Sequence, residues 1–156
     1  MGGPPRVKLP YSILVLEFDF PYDCRRVFEW WTELEPSGYV GRRLKRIEVL
    51  ERSERGAKVM THWSFMGFGF KLIEELEIKS EYEWVWRSRF LGVPAVETFK
   101  LTPTNASCKL TITSVMSPPN AFRKILFLAV GWYWRGEDKK EWSSAAKACI
   151  EELANA

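Results

Sequence analysis

Residues 69–90, GFKLIEELEIKSEYEWVWRSRF, decide the fold. Phe70, Leu72, Leu76 and Ile78 stand at alternate positions, with Lys71, Glu75, Glu77 and Lys79 between them. After Ser80-Glu81 the alternation resumes with Tyr82, Trp84, Trp86, Ser88 and Phe90 on one side. A period of two means a strand with one buried face. Two such runs across so short a break predict an antiparallel hairpin.

The same reading extends in both directions. Four more strands are expected at about 44–53, 57–66, 95–103 and 107–116. Their breaks fall at Arg55-Gly56, Gly67, Gly92-Val93-Pro94 and Thr104-Asn105-Ala106. Connections this short imply an antiparallel meander. Further upstream, Tyr11 to Phe20 is a strand with Leu14, Leu16, Phe18 and Phe20 on one face, ended by Pro21. A helix follows, with Asp23 placed to cap it and Cys24, Val27, Phe28 and Trp31 along one stripe. Pro36-Ser37-Gly38 and Gly41 mark a loop before the meander.

Pro118-Pro119-Asn120 opens a long helical segment reaching Leu153. Phe122, Ile125, Leu126 and Ala129 form an apolar stripe, which Trp142, Ala146, Cys149 and Leu153 continue. Gly131 and Gly136 predict a kink or break. Seven strands with one apolar face cannot bury it alone, and this helix is the element long enough to cover it. The expected fold is α+β, in which a curved antiparallel sheet of seven strands grips a long C-terminal helix. Residues 1–10 are expected as a flexible arm and 11–156 as one domain.

Composition narrows the functional classes. The 156 residues are 46% hydrophobic and 15% aromatic, including eight Trp, so a roomy apolar interior is expected without a metal or disulfide staple. Net charge is +3 with Lys and Arg scattered among Glu; Arg42 to Arg46 is the nearest thing to a basic patch, which argues against nucleic acid. Cys24, Cys108 and Cys149 are far apart and odd in number, and His62 is the only histidine. This pattern argues against zinc or another metal, histidine triads and disulfide scaffolds, and points to a reducing cytoplasm. No cofactor is implied. Residues 1–10 lack the apolar core of a signal peptide, and the apolar run Ile125 to Trp134 is too short to span a bilayer. The absence of Gln and abundance of Glu, Lys and Arg fit a thermophilic source.

Several stretches resemble the START-like, or SRPBCC, helix-grip superfamily, especially its polyketide cyclase/dehydratase-like branch. Arg25-Arg26-Val27-Phe28 is similar to its entry into the first helix, Glu97 to Thr104 with Cys108 to Thr113 to its last hairpin, and Ala146 to Glu151 to the end of its long helix. The Ala-Pro that often precedes the first helix is replaced by Pro21 further upstream. The resemblance implies a cavity for apolar or amphipathic ligands such as lipids, sterols, quinones or polyketides. It spans carriers, cyclases and protein-binding members, which share no catalytic motif.

Alternation then assigns candidate pocket residues. Thr61, Trp63 and Phe65 share a face in 57–66, Leu72 and Glu74 in 69–79, and Trp84, Trp86 and Ser88 in the following strand. Phe18, Phe99, Ile112 and Ser114 join them from the remaining strands, and Leu126 and Ala129 from the helix. Glu74 interrupts an apolar face, so desolvation would raise its pKa and suit it to acid–base work. The plain alternative is pairing with Arg87 or Arg89, or escape to solvent at the sheet rim. Glu97 also falls on the inward side, nearer a strand start, whereas His62 points outward with Lys58 as a surface residue. Trp63, Trp84 and Trp86 either line a cavity or fill it. The segment Phe122 to Trp134 is read as pocket lining rather than a membrane-interface element. The leading expectation is a carrier or sensor for a small hydrophobic molecule. The alternatives are a cyclase/dehydratase-type enzyme using Glu74, and a protein-interaction module without a real cavity.

Overall fold

The fold is taken from a computed structural model, which describes residues 12–34, 44–65, 67–90, 92–117, 120 and 139–155. Strand β1 is Ser12–Phe20, helix α1 is Cys24–Thr32, and strands β2 to β7 are Leu44–Ser53, Gly56–Phe65, Phe68–Ser80, Glu83–Phe90, Val93–Thr104 and Ser107–Met116. Residues 139–154 are helical. All strand pairs are antiparallel, in the order β1-β7-β6-β5-β4-β3-β2. This is the helix-grip arrangement read from the sequence. The arm at 1–10, the stripe from Phe122 to Ala129 and the break near Gly131 or Gly136 lie outside the described residues.

Local chemistry explains the boundaries. Asp23 caps α1 by accepting from the Arg26 N–H at 3.0 Å. At the other end, Arg52 on β2 donates to the Thr32 carbonyl at 3.1 Å and satisfies one of the last orphan acceptors. At the start of β3, Gly56 is required because a Cβ there would lie 2.0 Å from the Leu76 carbonyl oxygen. Val93 and Pro94, expected as a break, belong to β6; Pro94 sits at the second position of that strand, where a missing donor is tolerated.

Strand β2 departs from strict alternation. Register shifts fall between Leu44 and Arg46 and between Val49 and Glu51, so Leu44 and Ile47, three residues apart, are both buried. A bulge inserts one unpaired residue and turns the following side chains over.

The cysteine expectation is corrected. Cys24 and Cys108, 84 residues apart in sequence, form a disulfide with a Cα–Cα distance of 5.0 Å. Pairing of β1 with β7 places Cys108 opposite Phe20, four residues before Cys24. Separation along the chain says nothing about separation across a sheet whose first and last strands are neighbours. Cys149 is free and buried, and burial pushes its thiol up to about 12 despite a hydrogen bond from Trp31.

Helix α1 then anchors the C-terminal helix. Trp31 is fully buried, with ring centroids 6.3 Å from Phe20, 5.9 Å from Phe99 and 6.1 Å from Trp142. The Tyr22 hydroxyl donates to the Ile150 carbonyl at 3.0 Å, Arg26 donates to the Leu153 carbonyl at 3.1 Å, and the Trp30 indole donates to the Glu152 carboxylate. Ala145, Ala146 and Cys149 are buried among sheet residues, while Leu153 is only half-buried at the end of the stripe.

The disulfide yields a direct expectation. In denaturant without reductant, one thiol per chain should react with Ellman's reagent, and all three cysteines after reduction. Closing so long a loop should stabilise the fold by about 2–5 kcal/mol. Urea unfolding of the Cys24→Ser, Cys108→Ser double variant measures this, and an unchanged midpoint would remove the staple from the account.

Candidate functional site

The concave face divides into two halves. Beneath α1, which packs on β6 and β7, aromatic and aliphatic side chains fill the space. Trp84 and Phe99 are fully buried there, stacked 5.2 Å apart at 9°, and Ile112 joins them. Phe18 is half-buried against the same cluster. These four predicted pocket residues therefore act as core, their ring and methyl surfaces already in contact with protein.

Toward β2, β3 and β4 the C-terminal helix is the covering element among the described residues, and a cavity of about 50 Å³ remains. Leu44 and Ile47 contribute from β2, Thr61 and Trp63 from β3 and Glu74 from β4. Trp86 and Glu97 close it from β5 and β6, and Glu141, Trp142 and Ala145 from the helix. The volume suits a few ordered waters rather than a lipid.

Glu74 is the polar centre of this wall. It is 7% exposed, and its Oε2 lies 2.5 Å from the Thr61 hydroxyl, which itself accepts from the Trp63 indole N–H at 2.7 Å. Thr61 faces Leu72 across the sheet, and its hydroxyl is 3.4 Å from the Leu72 carbonyl, a second acceptor. Ser88 supplies another hydrogen bond to the carboxylate. Desolvation pushes the Glu74 carboxyl from its ordinary 4.5 up to about 7, against the opposing pull of the Thr61 and Ser88 hydroxyls.

The alternatives for Glu74 fall away. Arg87 pairs with Glu77 at 2.5 Å on the opposite face, where Lys79 and Arg87 hold the Glu77 carboxyl below its usual range. Arg89 is exposed. Among the described residues Glu74 neither reaches the rim nor meets an arginine, because its strand parity turns it inward and that of Arg87 and Arg89 turns them out.

The structure thus brings Thr61, Trp63, Glu74 and Trp86 onto one cavity, with Ser88 and Leu72 beside them. Ser114 is buried opposite Glu97. The Phe65 side chain, Leu126 and Ala129 lie outside the described residues. His62 is turned away, with its Nε2 3.7 Å from Glu48. Sequence reasoning missed Leu44 and Ile47, which the bulge hides, and read Trp142 as plain packing. Glu141 and Ala145 carried no signal beyond their neighbourhood to Trp142. Among the described residues no group of His, Cys, Asp and Glu is arranged to hold a metal ion, and no helix is long and apolar enough to cross a membrane.

By sequence the chain matches no family model and no curated protein. By structure it is similar to the protein TTHA0849 from Thermus thermophilus, with a TM-score of 0.72 and 16% identity over 90% of this chain and 99% of that one. It is also similar to the Zhui aromatase/cyclase from Streptomyces sp. R1128, with a TM-score of 0.68 and 12% identity over 90% and 92% of the two chains. A START superfamily protein from Mycobacterium smegmatis gives 0.68 and 13% over 90% and 98%. The chain has the START-like helix-grip fold. Within that START-like frame, identity this low speaks for architecture, and function must be argued from the site.

The raised Glu74 pKa has a consequence for stability. Between about 4.5 and 7 the folded chain keeps a proton that the unfolded chain releases, so stability falls as pH rises through this window and levels off above it. Glu74→Gln should flatten that slope and raise stability at pH 8 by up to about 3 kcal/mol. Urea midpoints of both proteins from pH 5 to pH 8 check this; parallel profiles would show an unperturbed carboxyl.

Proposed function

We propose that the chain binds a small, largely apolar molecule carrying one hydrogen-bonding group, in the cleft between β2–β6 and the C-terminal helix, as a carrier or sensor. The observation that carries this reading is Glu74. A carboxylate buried in an apolar wall, held by two hydroxyls and no cation among the described residues, costs stability and contributes nothing to packing. Such local violations belong to functional sites. The site has the composition of a small-molecule pocket, apolar walls with a few convergent polar groups.

Ligand-sized cavities run to about 300 Å³ or more. Occupancy therefore requires the wall to yield, and Trp63 and Trp142, half-buried, are the least enclosed of its indoles. A cytoplasmic setting in a thermophile belongs to the same proposal. A disulfide is compatible with it, since cytoplasmic proteins of hyperthermophiles carry such bonds.

A second reading is favoured by the value near 7 for Glu74. A carboxyl poised there gives and takes protons at neutral pH, as a cyclase or dehydratase acting on a bound carbonyl compound requires. Thr61, with acceptors on both sides of its hydroxyl, can donate to ionised Glu74 or turn to Leu72 when Glu74 is protonated.

Titration with decanoate, menadione and a fluorescent apolar probe should quench or shift Trp emission in a saturable way, at about one ligand per chain. Ala145→Phe, which fills the cavity and leaves the indoles in place, should abolish the effect. No binding across a broad apolar screen, by fluorescence and by native mass spectrometry, would overturn the reading. Bound compounds recovered unchanged after long incubation would retain the carrier and remove the enzyme.

A further inference from the structure

The polar end of the ligand can be read from the charges and rings around Glu74, an inference that rests on the binding role just proposed. Carboxylates reach the cavity from three elements: Glu74 from β4, Glu97 from β6 and Glu141 from the C-terminal helix. Among the described lining residues there is no Lys, Arg or His. Strands β2, β3 and β5 contribute no titratable group to the wall. The hydrogen bonds to Glu74 come from the uncharged Thr61 and Ser88, so its charge meets no cation there.

Three indoles, Trp63, Trp86 and Trp142, share this small space. Indole is the strongest cation–π partner among side chains, and desolvation strengthens the attraction. An anionic head group would enter beside the Glu74 carboxylate with no Lys, Arg or His among the described lining residues to pair it. A neutral head group would leave an ionised Glu74 buried without compensation. A cation satisfies the carboxylate and the rings together.

We propose that the ligand is an amphipathic amine, its protonated nitrogen lodged against Glu74 among Trp63, Trp86 and Trp142 and its apolar body on Leu44 and Ile47. Binding then draws a proton off Glu74, and affinity for the amine rises with pH until the carboxyl is ionised. Glu97 and Glu141 are the other titratable groups on the described wall.

The test compares three probes of one shape: 2-phenylethylamine, 2-phenylethanol and 3-phenylpropanoate, titrated calorimetrically into the full chain. At pH 8 the amine should bind at least tenfold more tightly than either of the others, and its advantage should shrink severalfold at pH 5.5. Glu74→Gln should remove the advantage of the amine over the alcohol, and Trp63→Leu should weaken the amine selectively. The pH arm uses the wild type, so it stands even if Glu74→Gln fails to fold. Equal or tighter binding of the alcohol or the propanoate, or an amine preference that survives Glu74→Gln, overturns the inference and leaves the apolar-ligand reading standing. Binding of none of the three also overturns it, and the apolar-ligand reading is then judged by decanoate and menadione alone.

Discussion

The pairing of the first strand with the last is the constraint on which the other features depend. Residues Ser12 to Phe20 lie along Met116 to Cys108, closing about a hundred residues of chain into one sheet. That closure sets α1, which follows β1 directly, over β6 and β7, and brings Cys24 to Cys108. From this position α1 presents Trp31 to the core and Arg26 and Trp30 to the C-terminal helix, which Tyr22 also meets from the turn before α1. Without the β1–β7 ladder, the disulfide, the central indole and the helix anchors would each lack a partner. Such long-range pairing is entropically expensive to close, and a disulfide across it lowers the entropy of the unfolded chain.

The same placement accounts for the cavity. Helix α1 covers only part of the concave face, and around its Trp31 the side chains of Trp84, Phe99, Leu110 and Ile112 are packed and fully buried. Beyond its reach the C-terminal helix presents Ala145, whose short side chain leaves space that Trp63 and Trp142 only partly occupy. Aromatic residues thus serve two purposes in one layer. Which purpose each serves depends on how many covering elements lie above it. Glu74 falls in the thinly covered half, where a buried carboxylate can meet something other than protein.

An exchangeable proton sits at the middle of this arrangement. Thr61 links the Trp63 indole to the Glu74 carboxylate, so the charge on Glu74 is coupled to a ring in the cavity wall. The link is one hydroxyl hydrogen with two acceptors within reach.

Much of this was legible in the residues themselves. Alternation placed Thr61, Trp63, Glu74, Trp86 and Ser88 on one face, because side-chain direction along a strand is set by backbone geometry within a few residues. The helix cap at Asp23 was equally local. The number and order of strands followed from short connections, which leave antiparallel neighbours little choice. Three matters were decided only in the tertiary structure. The β2 bulges turned Leu44 and Ile47 inward, a choice made by the partner strand. The Cys24–Cys108 bond formed between residues that no local pattern relates. The division of the indoles into core and wall, and the burial that raises the Glu74 pKa, depended on which elements pack over each part of the sheet. Periodicity is a property of neighbours in sequence, whereas burial and desolvation are set by whatever the rest of the chain lays on top.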